Sequence, residues 1–317
     1  MIKNNKNSKG FGSKPKGISK ILELKEEEML EIENEGNKML NKGRVDKAET
    51  LYKKLIKANY TKPGPYINLS RIYRKSNRQK EGIEILKKSL LYVKGSTFHI
   101  TELSAIYKDI GQGELCINFL SKAIQIEPNS KYLLNLYESS SKQLGKINLA
   151  LLLLIRLSEF KPEESMLIPY IARLLKANKN YLESIKYYEK ALCEDNFNTD
   201  LLIDLANCYQ DIGDYEASIK IFEKIINISP DNQEAYYGLG LNYKFIGDYT
   251  SAVNLFKKAT LHKDNFEKAI AELIYCEALI CDWSSNKERY DCLKSIGLDY
   301  TPVSPFCFLA IEDEPQR

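Results

Sequence analysis

A spacing of 34 residues constrains this chain more than any other feature of its sequence. The run Tyr236-Tyr-Gly-Leu-Gly-Leu-Asn-Tyr243 is followed by Gly247-Asp-Tyr249, Ala252, Phe256 and Ala259. One period earlier stand Leu205, Ala206, Tyr209, Gly213-Asp-Tyr215, Ser218, Phe222 and Pro230. One period before that stand Ile171, Ala172, Leu175, Tyr181, Ser184, Tyr188 and Ala191. A fixed period of this length predicts a helical-repeat solenoid, in which no unit buries its apolar face alone and stacked neighbours share one core.

Seven units start at Met29, Pro63, Thr97, Lys131, Ser165, Thr199 and Gln233, and two columns fix their register. Ala48, Gly82, Cys116, Ala150, Ser184, Ser218 and Ala252 are small in every unit. Four residues later Tyr52, Leu86, Leu120, Leu154, Tyr188, Phe222 and Phe256 are large in every unit. Four residues is about one helical turn, so both columns share a helix face. The small residue lets the two helices of a hairpin approach, and the large one fills the space against the neighbouring hairpin. Gly43, Gly111, Gly145, Gly213 and Gly247 recur between the paired helices, where a C-terminus favours positive φ, and Asn77 and Lys179 replace them in two units. Pro128, Pro162 and Pro230 stand where second helices end.

This pattern of small residues, eleventh-position tyrosine, Gly-Asp-Tyr, Ala, Phe and terminal Pro resembles the tetratricopeptide repeat (TPR). The resemblance implies an all-α, superhelical TPR solenoid of about seven to eight hairpins with a short non-repeat segment at the C-terminal end. The fourth unit departs most. Glu138 takes a normally small position and Ser139-Ser-Ser141 removes the aromatic, so it is expected to be the softest point.

Hydrophobic residues make up 44% of the 317, and no apolar run approaches membrane-spanning length. The first residues carry lysines without a following apolar stretch, which disfavours a signal peptide. Together these point to a cytoplasmic protein. Net charge is +3, but Lys3, Lys6, Lys9, Lys14, Lys16 and Lys20 put +6 on the first twenty residues, leaving −3 on the remainder. Residues 1–17 therefore read as a disordered basic tail, either simply solvated or able to touch nucleic acid or anionic lipid. Nucleic acid is disfavoured, because Phe11 is the tail's only aromatic platform. The seven cysteines form no CxxC pair, and with only His99 and His262 beside them no metal site is expected.

Residues 18–296 read as the solenoid, with a partial eighth unit from Glu267 in which Cys281-Asp282-Trp283 falls where Gly-Asp-Tyr is due. Ser285 and Glu288 have capping-box spacing for a next helix. Beyond, Thr301–Ile311 is apolar, and Glu312-Asp-Glu-Pro315 looks like a helix start just before Arg317. That suggests a chain cut or truncated within a domain, with residues 297–317 as a junction. Alternatively, Phe306–Ile311 folds back as a cap on the last repeat. Ile280-Cys-Asp-Trp-Ser284, Glu288-Arg289, Pro302-Val-Ser-Pro-Phe306 and Leu309-Ala310 resemble the join between repeats and catalytic domain in bacterial members of the O-GlcNAc transferase/SPINDLY family. That resemblance implies sugar transfer from a nucleotide sugar to Ser or Thr hydroxyls of proteins, with the catalytic domain downstream. It places no catalytic residue and no cofactor site in this chain.

The surface expected to bind is the concave face of the first helices, which in the TPR family lines a groove for protein or peptide partners. Its twelfth position reads Leu40, Arg74, Lys108, Lys142, Lys176, Gln210 and Lys244, a basic stripe suited to acidic segments. The same residues also suit the negative end of a helix dipole with no ligand at all. At the sixth position Asn34 and Asn68 match the amide ladders with which some members hold a peptide backbone. Glu102, Leu136, Tyr170, Asp204, Gly238 and Glu272 then follow, which alters any such mode. Tyr170, Tyr236 and Tyr237 suit either apolar contacts or the core. Two functions stay open: the recognition region of a protein O-glycosyltransferase-like polypeptide, and a stand-alone TPR scaffold that assembles other proteins.

Overall fold

The structure, a computed structural model, describes residues 26–90, 96–160, 166–261 and 267–282. Among these the chain is all-α, with fifteen helices and no strand. It divides into two compact units, Met1–Ile126 and Glu127–Arg317. In the first, α1 (Glu26–Asn41) pairs with α2 (Val45–Lys57), α3 (Pro63–Lys75) with α4 (Gln79–Ser89), and α5 (Thr97–Asp109) with α6 (Gly113–Ile126). In the second, α7 (Lys131–Gln143) pairs with α8 (Ile147–Phe160), α9 (Leu167–Ala177) with α10 (Tyr181–Leu192), α11 (Thr199–Asp211) with α12 (Tyr215–Ile228), and α13 (Gln233–Ile246) with α14 (Tyr249–Thr260). The last described helix is α15 (Glu267–Leu279). The basic tail, Pro162, His262 and everything from Trp283 onward, including the junction and the capping alternative, lie outside the described residues.

The turns follow from backbone chemistry. All five expected glycines have φ between 64° and 92°. Asn77 at 57° and Lys179 at 61° adopt the same left-handed conformation, as does Cys281 at 56° in the eighth unit. Each such residue closes the hairpin's first helix. After α13, for instance, the N–H of Gly247 donates to the Lys244 carbonyl at 3.1 Å and that of Asp248 to the Tyr243 carbonyl at 2.9 Å. Asp248 then turns from stop to start, its carboxylate capping α14 by accepting from the Ser251 N–H at 3.0 Å. Asp214 caps α12 in the same way. Gly-Asp is thus one device with two jobs.

Packing obeys the two columns, and all fourteen residues are buried. Tyr52, Tyr188, Phe222 and Phe256 have no exposed surface, each contributing roughly 1.5–3 kcal/mol of apolar burial. They lie against first helices that come very close. A Cβ added to Gly240 would sit 2.6 Å from the Phe256 ring, and one on Gly36 would sit 2.7 Å from Tyr52. Gly238 likewise faces Phe222, the large residue of the preceding unit. The large side chain is therefore clasped between its own first helix and the next one.

The fourth unit shows what happens without that clasp. α7 runs unbroken through Glu138 and the serines, its Ser141 hydroxyl donating to the Tyr137 carbonyl at 2.6 Å. Glu138 fills the position that Gly36 and Gly240 hold elsewhere, and α7 and α8 are the least closely packed hairpin. The expected soft point is therefore a loosened hairpin whose first helix is intact.

Gly240→Ala should lower stability by about 1–3 kcal/mol, because a fully enclosed ring must shift to admit one methyl. Lys179→Gly should raise it by about 0.5–1 kcal/mol, by relieving a left-handed non-glycine residue. Urea midpoints of the two variants on opposite sides of wild type would bear this out. A third outcome concerns His99, which is fully buried in α5 with neither ring nitrogen hydrogen-bonded among the described residues. Burial holds its pKa below the ordinary 6.5, so the unfolded chain takes up a proton that the folded chain resists. Stability is then full above pH 6.5 and falls as pH drops below it, at up to about 1.4 kcal/mol per pH unit. His99→Leu should flatten that slope between pH 6.5 and 5 in denaturation curves.

Candidate functional site

Four of the five cations of the expected basic stripe already meet a carboxylate. In the first unit Arg74 pairs with Asp109 of α5. Lys108, half-buried, has no hydrogen-bonded or charged partner among the described residues. In the second unit Lys142 pairs with Glu138 at 2.6 Å, Lys176 with Asp204 at 3.1 Å, and Lys244 with Glu272 at 2.6 Å. The last two links have one geometry: the twelfth residue of a unit reaches the sixth residue of the next. The sixth-position acids thus answer the twelfth-position bases, leaving little free positive charge along this face.

The two asparagines part company. Asn34 is exposed on α1. Asn68 turns inward, giving its amide N–H groups to Asn37 Oδ1 at 3.0 Å and to the Tyr52 hydroxyl at 3.2 Å. The Tyr52 hydroxyl in turn donates to Asn37 at 2.7 Å. Asn68 therefore satisfies the polar tip of a core tyrosine, and its donors are committed to the packing of the first unit.

A cleft of about 480 Å³ opens instead in the second unit, between the first helices α7, α9 and α11. Its α7 wall presents Lys131, Asn135 and Glu138, its α9 wall Met166, Pro169, Tyr170 and Arg173, and its α11 wall Asn198, Asp200 and Leu201. Asn198 is fixed as the α11 cap, accepting from the Leu201 N–H at 3.2 Å. Tyr170 is nearly fully buried, and its hydroxyl donates to Asn135 Oδ1 at 2.9 Å. Burial, above all, holds this phenol above its ordinary pKa, so it remains a donor. That bond orients Asn135 with its carbonyl oxygen toward the wall, and its two amide N–H groups meet no acceptor among the described residues.

Arg173 lies across the Tyr170 ring, its guanidinium carbon 4.4 Å from the centroid. Its Nε donates to both oxygens of Glu138, at 3.1 and 3.0 Å. Burial alone would lower the Arg173 pKa, but the Glu138 carboxylate outweighs it and raises the value. Glu138 is only 8% exposed, and Lys142 and Arg173 together balance its charge. The cleft therefore holds fixed donors beside the apolar surfaces of Met166, Pro169 and Leu201. Those donors are of the kind that pairs with carbonyl or carboxylate oxygens. No group of His, Cys, Asp and Glu suited to a metal ion occurs among the described residues.

Of these residues the sequence had marked Tyr170, for contact or core, and Glu138, only as an irregularity. Asn135 and Arg173 were missed. The signal was present: stepping back three residues from Lys176 reaches Arg173, and seven from Lys142 reaches Asn135, all on one helical face.

Comparison with known proteins agrees with the repeat architecture. A tetratricopeptide repeat family model matches residues 175–243, and a second model of the same description matches 64–92 and 233–265. No curated protein matches the chain. Among solved structures, the C-terminal part of a TPR repeat-containing protein from Cytophaga hutchinsonii superposes with a TM-score of 0.51 at 16% identity, covering 76% of this chain and 99% of that one. A tetratricopeptide repeat protein from Parabacteroides merdae gives a TM-score of 0.44 at 19% identity, covering 79% and 99%. At 16% identity the Cytophaga hutchinsonii likeness speaks to fold alone. Repeat spacing, hairpin turns and family matches converge: the chain is a tetratricopeptide repeat protein.

Proposed function

We propose that this chain is a protein-interaction scaffold that holds an extended segment of a partner polypeptide in the cleft between α7, α9 and α11. Tetratricopeptide repeats generally bind protein partners. The observation that carries the reading is the unspent polar capacity of this cleft: Asn135 and Arg173 are held in place by Tyr170 and Glu138 while keeping N–H groups that meet no acceptor among the described residues. An amide such as that of Asn135 is suited to a main-chain carbonyl, while the apolar walls admit side chains. The finer reading, recognition on behalf of a glycosyltransferase, rests on junction residues that lie almost wholly beyond Asp282, and no match supports it. The scaffold reading needs nothing beyond the repeats.

A photo-crosslinking residue placed at Asn135 should join discrete partner proteins in cells, whereas the same residue at Lys186, exposed on α10, should not. Equal adducts from both positions would remove the cleft as the binding face.

A further inference from the structure

We infer that Arg173 anchors a single carboxylate side chain, Asp or Glu, of the bound polypeptide, an inference that rests on the cleft being the polypeptide-binding face. Arg173 spends Nε on Glu138 and lies close to the Tyr170 hydroxyl, while Nη1 and Nη2 make no well-aligned hydrogen bond among the described residues. Stacking on Tyr170 and the bond to Glu138 restrain the guanidinium plane from two directions. What remains is a planar pair of donors, fixed before any ligand arrives, that matches the two oxygens of a carboxylate. Its side chain is 28% exposed, enough to be reached from the cleft and little enough to limit screening.

Charge decides which oxyanion fits. On the walls Lys131 and Arg173 stand against Glu138 and Asp200, and Lys142, off the lining but paired with Glu138, leaves the whole cluster at about +1. One carboxylate neutralises that. A phosphate dianion would overshoot it, with Asp200 and the buried Glu138 repelling the excess. The stripe residues Lys176 and Lys244 lend no help, each being closed by its own acid. The specificity is therefore for one acidic residue flanked by apolar ones that meet Met166, Pro169 and Leu201, and a dense acidic run is excluded.

The test uses the full chain and an array of acetylated, amidated decapeptides with randomised flanks around a central Glu, Gln or phosphoserine. Wild type should retain central-Glu peptides at least tenfold better than their Gln counterparts and better than phosphoserine. Arg173→Gln should lose the Glu-over-Gln preference while still binding peptide. Arg173→Lys, which keeps a positive charge beside Glu138, should fall between, and thermal melts of both variants show that the fold is retained. Equal retention of Glu and Gln by wild type, or a preference that survives in Arg173→Gln, overturns the anchor and leaves the scaffold reading standing. Stronger retention of phosphoserine overturns the choice of carboxylate. Failure to retain any peptide overturns both the anchor and the cleft as a binding face.

Discussion

The clasping of one large side chain between two first helices is the contact on which the structure depends. Phe222 lies under Gly238 of the following unit, and Phe256 under Gly240 of its own. Neither helix could come so near if a side chain stood in the way, and neither ring would be enclosed if the helices stayed apart. The contact couples neighbours, so the stability of one hairpin is borrowed from the next. It also explains why the columns tolerate exchange within a size class. Cys116 serves where Ala252 serves, and Tyr188 where Phe222 does, since close packing distinguishes volume more sharply than chemistry.

Where that rule is broken, the molecule gains a cleft. Glu138 cannot tuck beneath Leu154 as Gly240 does beneath Phe256, because its carboxylate must keep ionic partners or pay a heavy desolvation penalty. It finds them in Lys142 and in Arg173, which lines the cleft. The same substitution that loosens the α7–α8 hairpin therefore supplies the group that aims Arg173. An irregularity in packing and a feature of the cleft wall are one event.

Much of the architecture was legible because it is written at fixed intervals. Period, turn glycines, the Asn77 and Lys179 replacements and the two packing columns each restate one geometric requirement many times, so a single chain acts as its own alignment. The cleft was far less legible. Arg173 and Asn135 occur once, at positions that vary from unit to unit, and nothing periodic marks them. The ion pairs of the basic stripe were hidden for a related reason. Lys176 and Lys244 recur, but their partners Asp204 and Glu272 lie 28 residues further on, a separation that means nothing until hairpins are stacked. Asn68 was similarly ambiguous, since only its contact with Tyr52 reveals an amide that serves the core.

Paired charges also change what the face of the second unit can offer. An open row of lysines would draw acidic chains from a distance, through a field that salt screens within about 10 Å. Once Lys142, Lys176 and Lys244 are each matched to a carboxylate, that field largely cancels and attraction becomes local. Selection then passes to groups whose donors remain unused and whose orientation is fixed in advance, since immobilising them costs little further entropy when a ligand binds. In this face the hydrogen bond from Tyr170 and the carboxylate of Glu138 do that fixing. Two buried side chains thus set the direction in which the donors of Asn135 and Arg173 point.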